Sequence, residues 1–225
     1  MTTFRVEVAI FAIAFAVFGL VTLALVWSGD WAYELLARMT GHTQTTFLDT
    51  GGFATVDLSR LLQFHAAWAS YVVGLSPSPP ASEFFTVDER AHMADVRTVF
   101  RGAEYAAALA LFVVLFRVQR ARRRGDALRL VRGGALTATA IVAVIGVAAA
   151  VAFDPLFLLF HDVFFPQGNF LFDPATSNLI RLYPEWYWQG ITAGVGLSFI
   201  AVAVLVAGAA HRALGRVSNT YTRAA

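Results

Sequence analysis

Two histidines stand where acid/base chemistry could be done. The first, His92, lies in the stretch Phe84-Phe85-Thr86-Val87-Asp88-Glu89-Arg90-Ala91-His92-Met93-Ala94-Asp95-Val96-Arg97. On a helix, Glu89, His92 and Asp95 fall three residues apart, and Asp88 and His92 four apart, so one face presents an imidazole flanked by carboxylates. The second, His161, lies in Asp154-Pro155-Leu156-Phe157-Leu158-Leu159-Phe160-His161-Asp162-Val163-Phe164-Phe165-Pro166, where His161 and Asp162 are the polar side chains of an otherwise apolar, aromatic segment. An imidazole titrates near neutrality and can take or give a proton without a cofactor. Each stretch also has a plainer reading. The first serves equally as a solvated polar face leading into an apolar helix, the second as a packing histidine in a membrane-interface segment.

Other chemistries find less support. The chain has no Cys, which removes a thiol nucleophile, thiolate metal sites and disulfides. It has no G-x-S-x-G turn, no H-E-x-x-H pair and no Gly-rich phosphate loop. His92, His161, Asp95 and Asp162 lack the paired spacing of zinc ligands. His42, His65 and His211 fall in no motif and receive no role; His65 reads as a packing residue and His211 as a cation at a helix C-terminus.

The elements that must carry these residues are set by composition. Of 225 residues, 58% are hydrophobic and 14% charged, and the mean hydropathy is +0.63. Soluble domains are nearer a quarter charged and under half apolar, so an integral membrane protein is expected, and a net charge of +2 gives no reason to expect nucleic acid as a partner. A spanning helix needs about 20 apolar residues. Four stretches meet or approach this, at about 6–28, 99–116, 133–153 and 190–210. All 17 basic residues are Arg, and eleven of them group as Arg5, then Arg117, Arg120, Arg122, Arg123, Arg124, Arg129 and Arg132, then Arg212, Arg216 and Arg223. By the positive-inside rule both termini face the cytoplasm, and segments 29–98 and 154–189 lie outside. Connections this long carry structure or function of their own.

Within the first outer segment, Gly41 to Ser59 reads as a hairpin. Leu58 to Leu75 reads as an apolar helix ended by Ser76-Pro77-Ser78-Pro79-Pro80; a fifth span there is the alternative. Thr86 and Glu89 form a capping box that starts a helix near Val87 and runs it into the second span. In the second outer segment, Asp154 caps a short interfacial helix with Pro155 in its first turn. Asp173 and Pro174 repeat that start for a helix over about 175–182, and Tyr183-Pro184-Glu185-Trp186-Tyr187-Trp188 leads into the fourth span. The aromatics there read partly as an interfacial belt. The fold class is thus all-α and integral to the membrane: four transmembrane helices with an extracytoplasmic cap of short helices and a small β element. From the residues alone, the chemistry is that of an extracytoplasmic acid/base site facing lipid.

At these positions the sequence resembles the lipoprotein intramolecular transacylase (Lit) family of bacterial membrane proteins. The resemblance lies in Glu89-x-x-His92-Met93-x-Asp95-Val96-Arg97, in Phe160-His161-Asp162-x-Phe164-Phe165-Pro166-x-x-Asn169-Phe170-x-Phe172-Asp173-Pro174, and in Asn178-Leu179-Ile180 through Tyr183-Pro184-Glu185. Phe170 stands where Trp is expected, and Arg97 where Lys is usual. The resemblance implies a four-helix bundle with an outer cap in the bacterial cytoplasmic membrane. It implies transfer of the sn-2 acyl chain of a diacylglyceryl-modified N-terminal cysteine to that cysteine's α-amine, which gives a lyso-form lipoprotein. The implied partners are diacylglyceryl-modified lipoproteins and membrane lipids, and no metal or organic cofactor is implied. His92 and His161 map onto the family's catalytic pair. His161 is expected as the base, and Glu89 or Asp95 is expected to orient His92. Asp162, adjacent to His161 in sequence, does not face it on a helix. Arg97, Asn169 and Tyr183 are candidate oxyanion donors. Phe164, Phe165, Phe170, Phe172, Tyr183 and Tyr187 would confine the lipid, with Asp173 at the close of the motif. Competing readings are a lipid hydrolase or acyltransferase using the same histidines, a metal-dependent membrane enzyme, and a non-catalytic lipid-binding protein.

Overall fold

The computed structural model describes residues 2–80 and 83–224, without the side chains of Thr2 and 217–224. In chain order the elements are α1 (Thr2–Trp27), α2 (Asp30–Thr40), β1 (Gln44–Asp49), β2 (Gly52–Asp57), α3 (Leu58–Val72), α4 (Val87–Arg123), α5 (Ala127–Val151), α6 (Phe153–Phe164), α7 (Asn178–Leu182) and α8 (Glu185–Ala224). Four of these helices, α1, α4, α5 and α8, are long and apolar enough to cross a membrane. The chain divides into two compact units. One holds residues 1–23, 104–148 and 195–225, the other 24–103 and 149–194.

The first unit is a bundle of the long helices. Small residues line its contacts: Ala12, Ala16, Ala138 and Ala203 are buried with Val142 and Phe199. Without water to drive apolar burial, close approach at small side chains supplies the packing energy between helices in lipid. Gly134 allows this approach, since a Cβ there would fall 2.2 Å from the Phe11 ring. The outward side chains are apolar: Ile13, Leu109, Phe112, Val144 and Leu205 are all more than half exposed. Such a surface would be anomalous in water and is expected in hydrocarbon. Glu7, the acidic residue of α1, pairs with Arg124 and, at 3.8 Å, with Arg120.

The second unit carries the residues of chemical interest. Its hairpin pairs β1 with β2 antiparallel, from Gln44↔Asp57 to Asp49↔Gly52. The two-residue loop Thr50-Gly51 leads to Gly52 at φ +110°, a conformation that suits glycine. The side chain of Asp57 accepts from the Arg60 N–H and caps α3. Alternation then buries Phe47 against Leu61, Phe64 and Trp68 of α3, with Tyr33, Phe85, Met93 and Leu182 completing the core. Only 15 residues long and buried along one side in this core, α3 is not among the helices long and apolar enough to cross a membrane.

The capping box forms as the sequence requires. The Thr86 hydroxyl accepts from the Glu89 N–H at 3.1 Å, and the Glu89 carboxylate accepts from the Thr86 N–H at 2.7 Å. Two other helix starts differ from expectation. The side chain of Asp154 does not cap α6; that helix begins one residue earlier behind Ala152, so Asp154 sits inside its first turn. Asp173 starts a turn rather than a helix. Its side chain accepts from the Ala175 N–H, its carbonyl accepts from the N–H groups of Thr176 and Ser177, and α7 starts only at Asn178 behind Ser177. Proline at 174 follows that turn-forming aspartate, and the local side-chain bond competes with helix there.

Candidate functional site

Helix α4 supplies His92 one turn after the capping box. The first eleven residues of α4 include Asp88, Glu89, Arg90, Asp95 and Arg97. They are the more polar end of that helix, whose apolar stretch follows. His161 comes from the last turn of α6. The second unit brings the two imidazoles together as a near-parallel pair, with centroids 6.2 Å apart and planes 20° apart. They are 69 residues apart in sequence, and nothing local in either segment dictates that meeting.

Phenylalanines wall the pair. The Phe165 ring lies 4.8 Å from His92 and 5.4 Å from His161. Phe170 lies 5.1 Å from His161, and Phe172 lies 5.7 Å from His92. Phe157, which the sequence reading passed over, is nearest of all at 4.3 Å from His161. Its carbonyl accepts from His161 Nδ1 at 2.8 Å when the ring carries its proton there. That bond selects one tautomer of the neutral ring and leaves the Nε2 lone pair free. The signal was present in the sequence, because residues four apart on a helix are neighbours.

His92 is the more enclosed ring, at 7% exposed. Among the described residues its Nδ1 is buried and has no hydrogen-bond partner. Burial, followed by the nearby charge of His161, lowers its pKa to about 4; an Asn169 hydrogen bond and the Asp95 charge oppose this. At neutral pH, His92 is therefore an uncharged imidazole with an unused ring nitrogen.

Asp95 and Asn169 meet behind the pair. The Asn169 amide donates to the Asp95 carboxylate at 2.6 Å, and the Gln167 amide donates to the same oxygen at 2.8 Å. Gln167 is a second residue that the sequence reading missed. Glu89 does not orient His92. Its side chain is 1% exposed and accepts from the Ser177 hydroxyl at 2.6 Å, the Leu179 N–H at 2.8 Å and the Thr86 N–H. It thus fastens the start of α7 to the start of α4.

Other expected members lie elsewhere. Arg97 donates to the carbonyls of Ser76 and Pro77 and sits over the Tyr71 ring, so it anchors the Pro-rich loop. The Tyr183 hydroxyl meets His65 Nδ1 at 3.2 Å, and Tyr187 packs on Tyr33. Asp162 is exposed on α6. Phe164 is half exposed and packs on Phe160. Asp173 serves the turn before α7.

His65 is the buried hub of a separate aromatic cluster. Its Nε2 lies 3.1 Å from the Ser28 carbonyl, and burial lowers its pKa against the opposing effects of Asp30 and the Ser28 and Gly29 backbone. Burial likewise raises the Tyr183 pKa. Trp188 donates to the Tyr183 carbonyl at 3.0 Å, so it ties the start of α8 to the segment before it. No three His, Cys, Asp or Glu side chains gather as a metal site among the described residues.

What surrounds the two histidines is thus largely apolar and aromatic. Phe160 and Leu159 on α6 are about half exposed beside them. A low-dielectric surround strengthens the polar contacts made within it.

No curated protein matches the chain in sequence. In structure it is similar to the membrane-integral lipoprotein intramolecular transacylase Lit from Bacillus cereus, with a TM-score of 0.69 and 16% identity over 100% of this chain and 99% of that one. A form of the Bacillus cereus protein with one histidine replaced by alanine gives a TM-score of 0.67 at 15% identity, covering 96% of each chain. At these identities the likeness shows a shared membrane fold. The profile of the lipoprotein intramolecular transacylase Lit family matches residues 6–188, and this multi-pass membrane protein accordingly belongs to that family of transacylases.

Proposed function

We propose that this protein moves the sn-2 acyl chain of a diacylglyceryl-modified N-terminal cysteine onto that cysteine's α-amine, with His92 and His161 as the catalytic residues. The observation that carries the reading is the facing imidazole pair, with one tautomer held by Phe157 and one ring kept neutral by burial.

The α-amine of the substrate has a pKa of about 7.7–8.0 and must lose a proton to attack. The ammonium proton leaves to solvent, and His161 Nε2 takes a second proton from the free amine as its nitrogen bonds to the sn-2 carbonyl carbon. His92, neutral, offers its ring N–H to the carbonyl oxygen as negative charge develops there. This resembles other sites in which a neutral imidazole acts as electrophile. The tetrahedral intermediate collapses by breaking the bond from the acyl carbon to the glycerol oxygen, which receives the proton from His161. One N–H is exchanged for one O–H, one ester for one amide, and no water is consumed. Because amine and ester belong to one molecule, much of the acceleration comes from positioning. The Phe165, Phe170 and Phe172 rings supply the apolar walls. The arginine distribution puts both termini in the cytoplasm and this site on the outer side of the membrane.

The test is expression in a bacterial host that lacks its own N-acylation step, followed by fragmentation of a reporter lipoprotein's N-terminal peptide. Product and substrate are isomers, so the intact mass is unchanged and the fragments carry the result. An N-acyl, S-monoacylglyceryl peptide with wild type and none with His92→Ala or His161→Ala is expected. Loss of one acyl chain in mass would instead identify a hydrolase. An unmodified peptide from well-folded wild-type protein would refute the reading.

A further inference from the structure

The outer edge of β1 opens into a groove that the chemistry above does not use. Asn178 shows which backbone groups face outward: its amide accepts from the Leu48 N–H at 2.8 Å and donates to the Leu48 carbonyl at 2.8 Å. Side-chain and backbone direction alternate along a strand, so Thr46 and Gln44 present their backbone groups on the same edge as Leu48. Arg181 donates to the Thr46 carbonyl at 3.1 Å. Among the described residues, no hydrogen bond is made to the outward backbone groups of Gln44 or to the Thr46 N–H. The backbone groups left open at this end of the edge can pair with another strand.

The groove at this point has a volume of about 290 Å³ and is lined by Gln44, Thr45, Pro174, Arg181, His42 and Trp186. His42 and Trp186 form a flat platform, with rings 5.3 Å apart and 15° from parallel. The groove wall and the histidine site are close along the chain: Phe172 lies 5.7 Å from His92, and Pro174, two residues on, lines the groove. Two residues span at most about 7 Å, and about six extended residues span roughly 20 Å, enough to run from the His92 ring to the groove.

We infer that this groove docks the polypeptide that follows the acylated cysteine, as a short extended strand added to the β1 edge at Gln44 and Thr46. This rests on the proposed function, since it names where the protein part of the same substrate lies. Main-chain pairing at an edge gives affinity with little dependence on sequence. That suits an enzyme whose substrates share a lipidated cysteine and differ beyond it. The acyl chains then occupy the Phe-walled site while the peptide leaves along the hairpin.

The experiment compares two substrates with purified full-length protein: diacylglyceryl-cysteine amide, and the same group on an eight-residue peptide. A third substrate is that peptide N-methylated at alternate positions, which removes strand-pairing donors and leaves the lipid intact. The peptide is expected to exceed the single residue in kcat/KM by about tenfold or more, with the gain carried in KM. N-methylation in one register is expected to abolish the gain, as is Trp186→Ala; His42→Ala is expected to reduce it. Neither substitution should alter turnover of the single-residue substrate. Equal kcat/KM for all three substrates would overturn the groove while the transacylase reading stood. Absence of N-acylation from every substrate would overturn both.

Discussion

The carboxylate of Glu89 offers the sharpest test of how the site is held. Its two oxygens receive three donors, from Thr86, Ser177 and Leu179, at 2.6–2.8 Å, while the residue is 1% exposed. Hydrogen bonds to a charged group contribute about 1.5–3 kcal/mol each, and neutral ones about 1 kcal/mol. Glu89→Gln keeps the shape and one oxygen. With that oxygen on Ser177 and Leu179, two bonds fall to neutral strength, and the new amide N–H₂ group confronts the Thr86 N–H. The sum is a loss of about 3–4 kcal/mol, which for a chain of this size corresponds to a fall in Tm of about 10 °C. The assay is thermal unfolding in detergent followed by tryptophan fluorescence, paired with the N-terminal fragmentation assay on the same preparation. Acyl transfer should decline only as far as the folded fraction declines at the assay temperature. A Glu89→Gln protein with unchanged Tm and abolished transfer would refute the reasoning and assign the carboxylate to His92 instead.

Other outcomes follow from the same geometry. An unfolded His92 binds a proton near pH 6.5, whereas the folded one does so only near pH 4, so acid favours the unfolded chain across that window. The resulting loss of stability grows to about 3 kcal/mol as pH falls from 6.5 to 4; Tm should fall more steeply for wild type than for His92→Asn over that range, and His65 adds to the same slope in both proteins. Asp95→Asn leaves the Gln167 and Asn169 amides without their carboxylate and should lower kcat/KM about tenfold with a stability loss of about 1–2 kcal/mol; unchanged kinetics would remove Asp95 from the site. Gly194→Ala would place a Cβ 2.5 Å from the Trp27 ring and should destabilise by about 1–3 kcal/mol, whereas Gly146→Ala meets nothing within 4 Å and should be neutral or mildly stabilising by Tm.

Much was legible in the chain because it rests on local physics. Long apolar runs become helices since a bilayer offers no other partner for the backbone, and α1, α4, α5 and α8 follow. The Thr86–Glu89 box fixes where α4 begins, and the helical repeat places His92 and Asp95 on one face. The hairpin was readable from its Thr- and Gly-rich stretch and α3 from an apolar run closed by prolines; the Asp57 cap of α3 came only with the structure.

The tertiary structure decided which of several competent neighbours each polar group took. Glu89 stands three residues from His92, yet three donors from α7 and its own cap outbid the imidazole. Asp154 and Asp173 both had the sequence of a helix cap, but α6 begins before the first, and the second closes a turn on its own backbone. Arg97 and Tyr183 had the chemistry of oxyanion donors and were drawn to a Pro-rich loop and to His65. The meeting of His92 with His161 is likewise non-local. Each segment fixes its own helix, but only packing of the second unit, with Phe165 against both rings, sets two imidazoles 6.2 Å apart. Spacing along one helix determines which side chains share a face; which face meets which is a property of the packed whole.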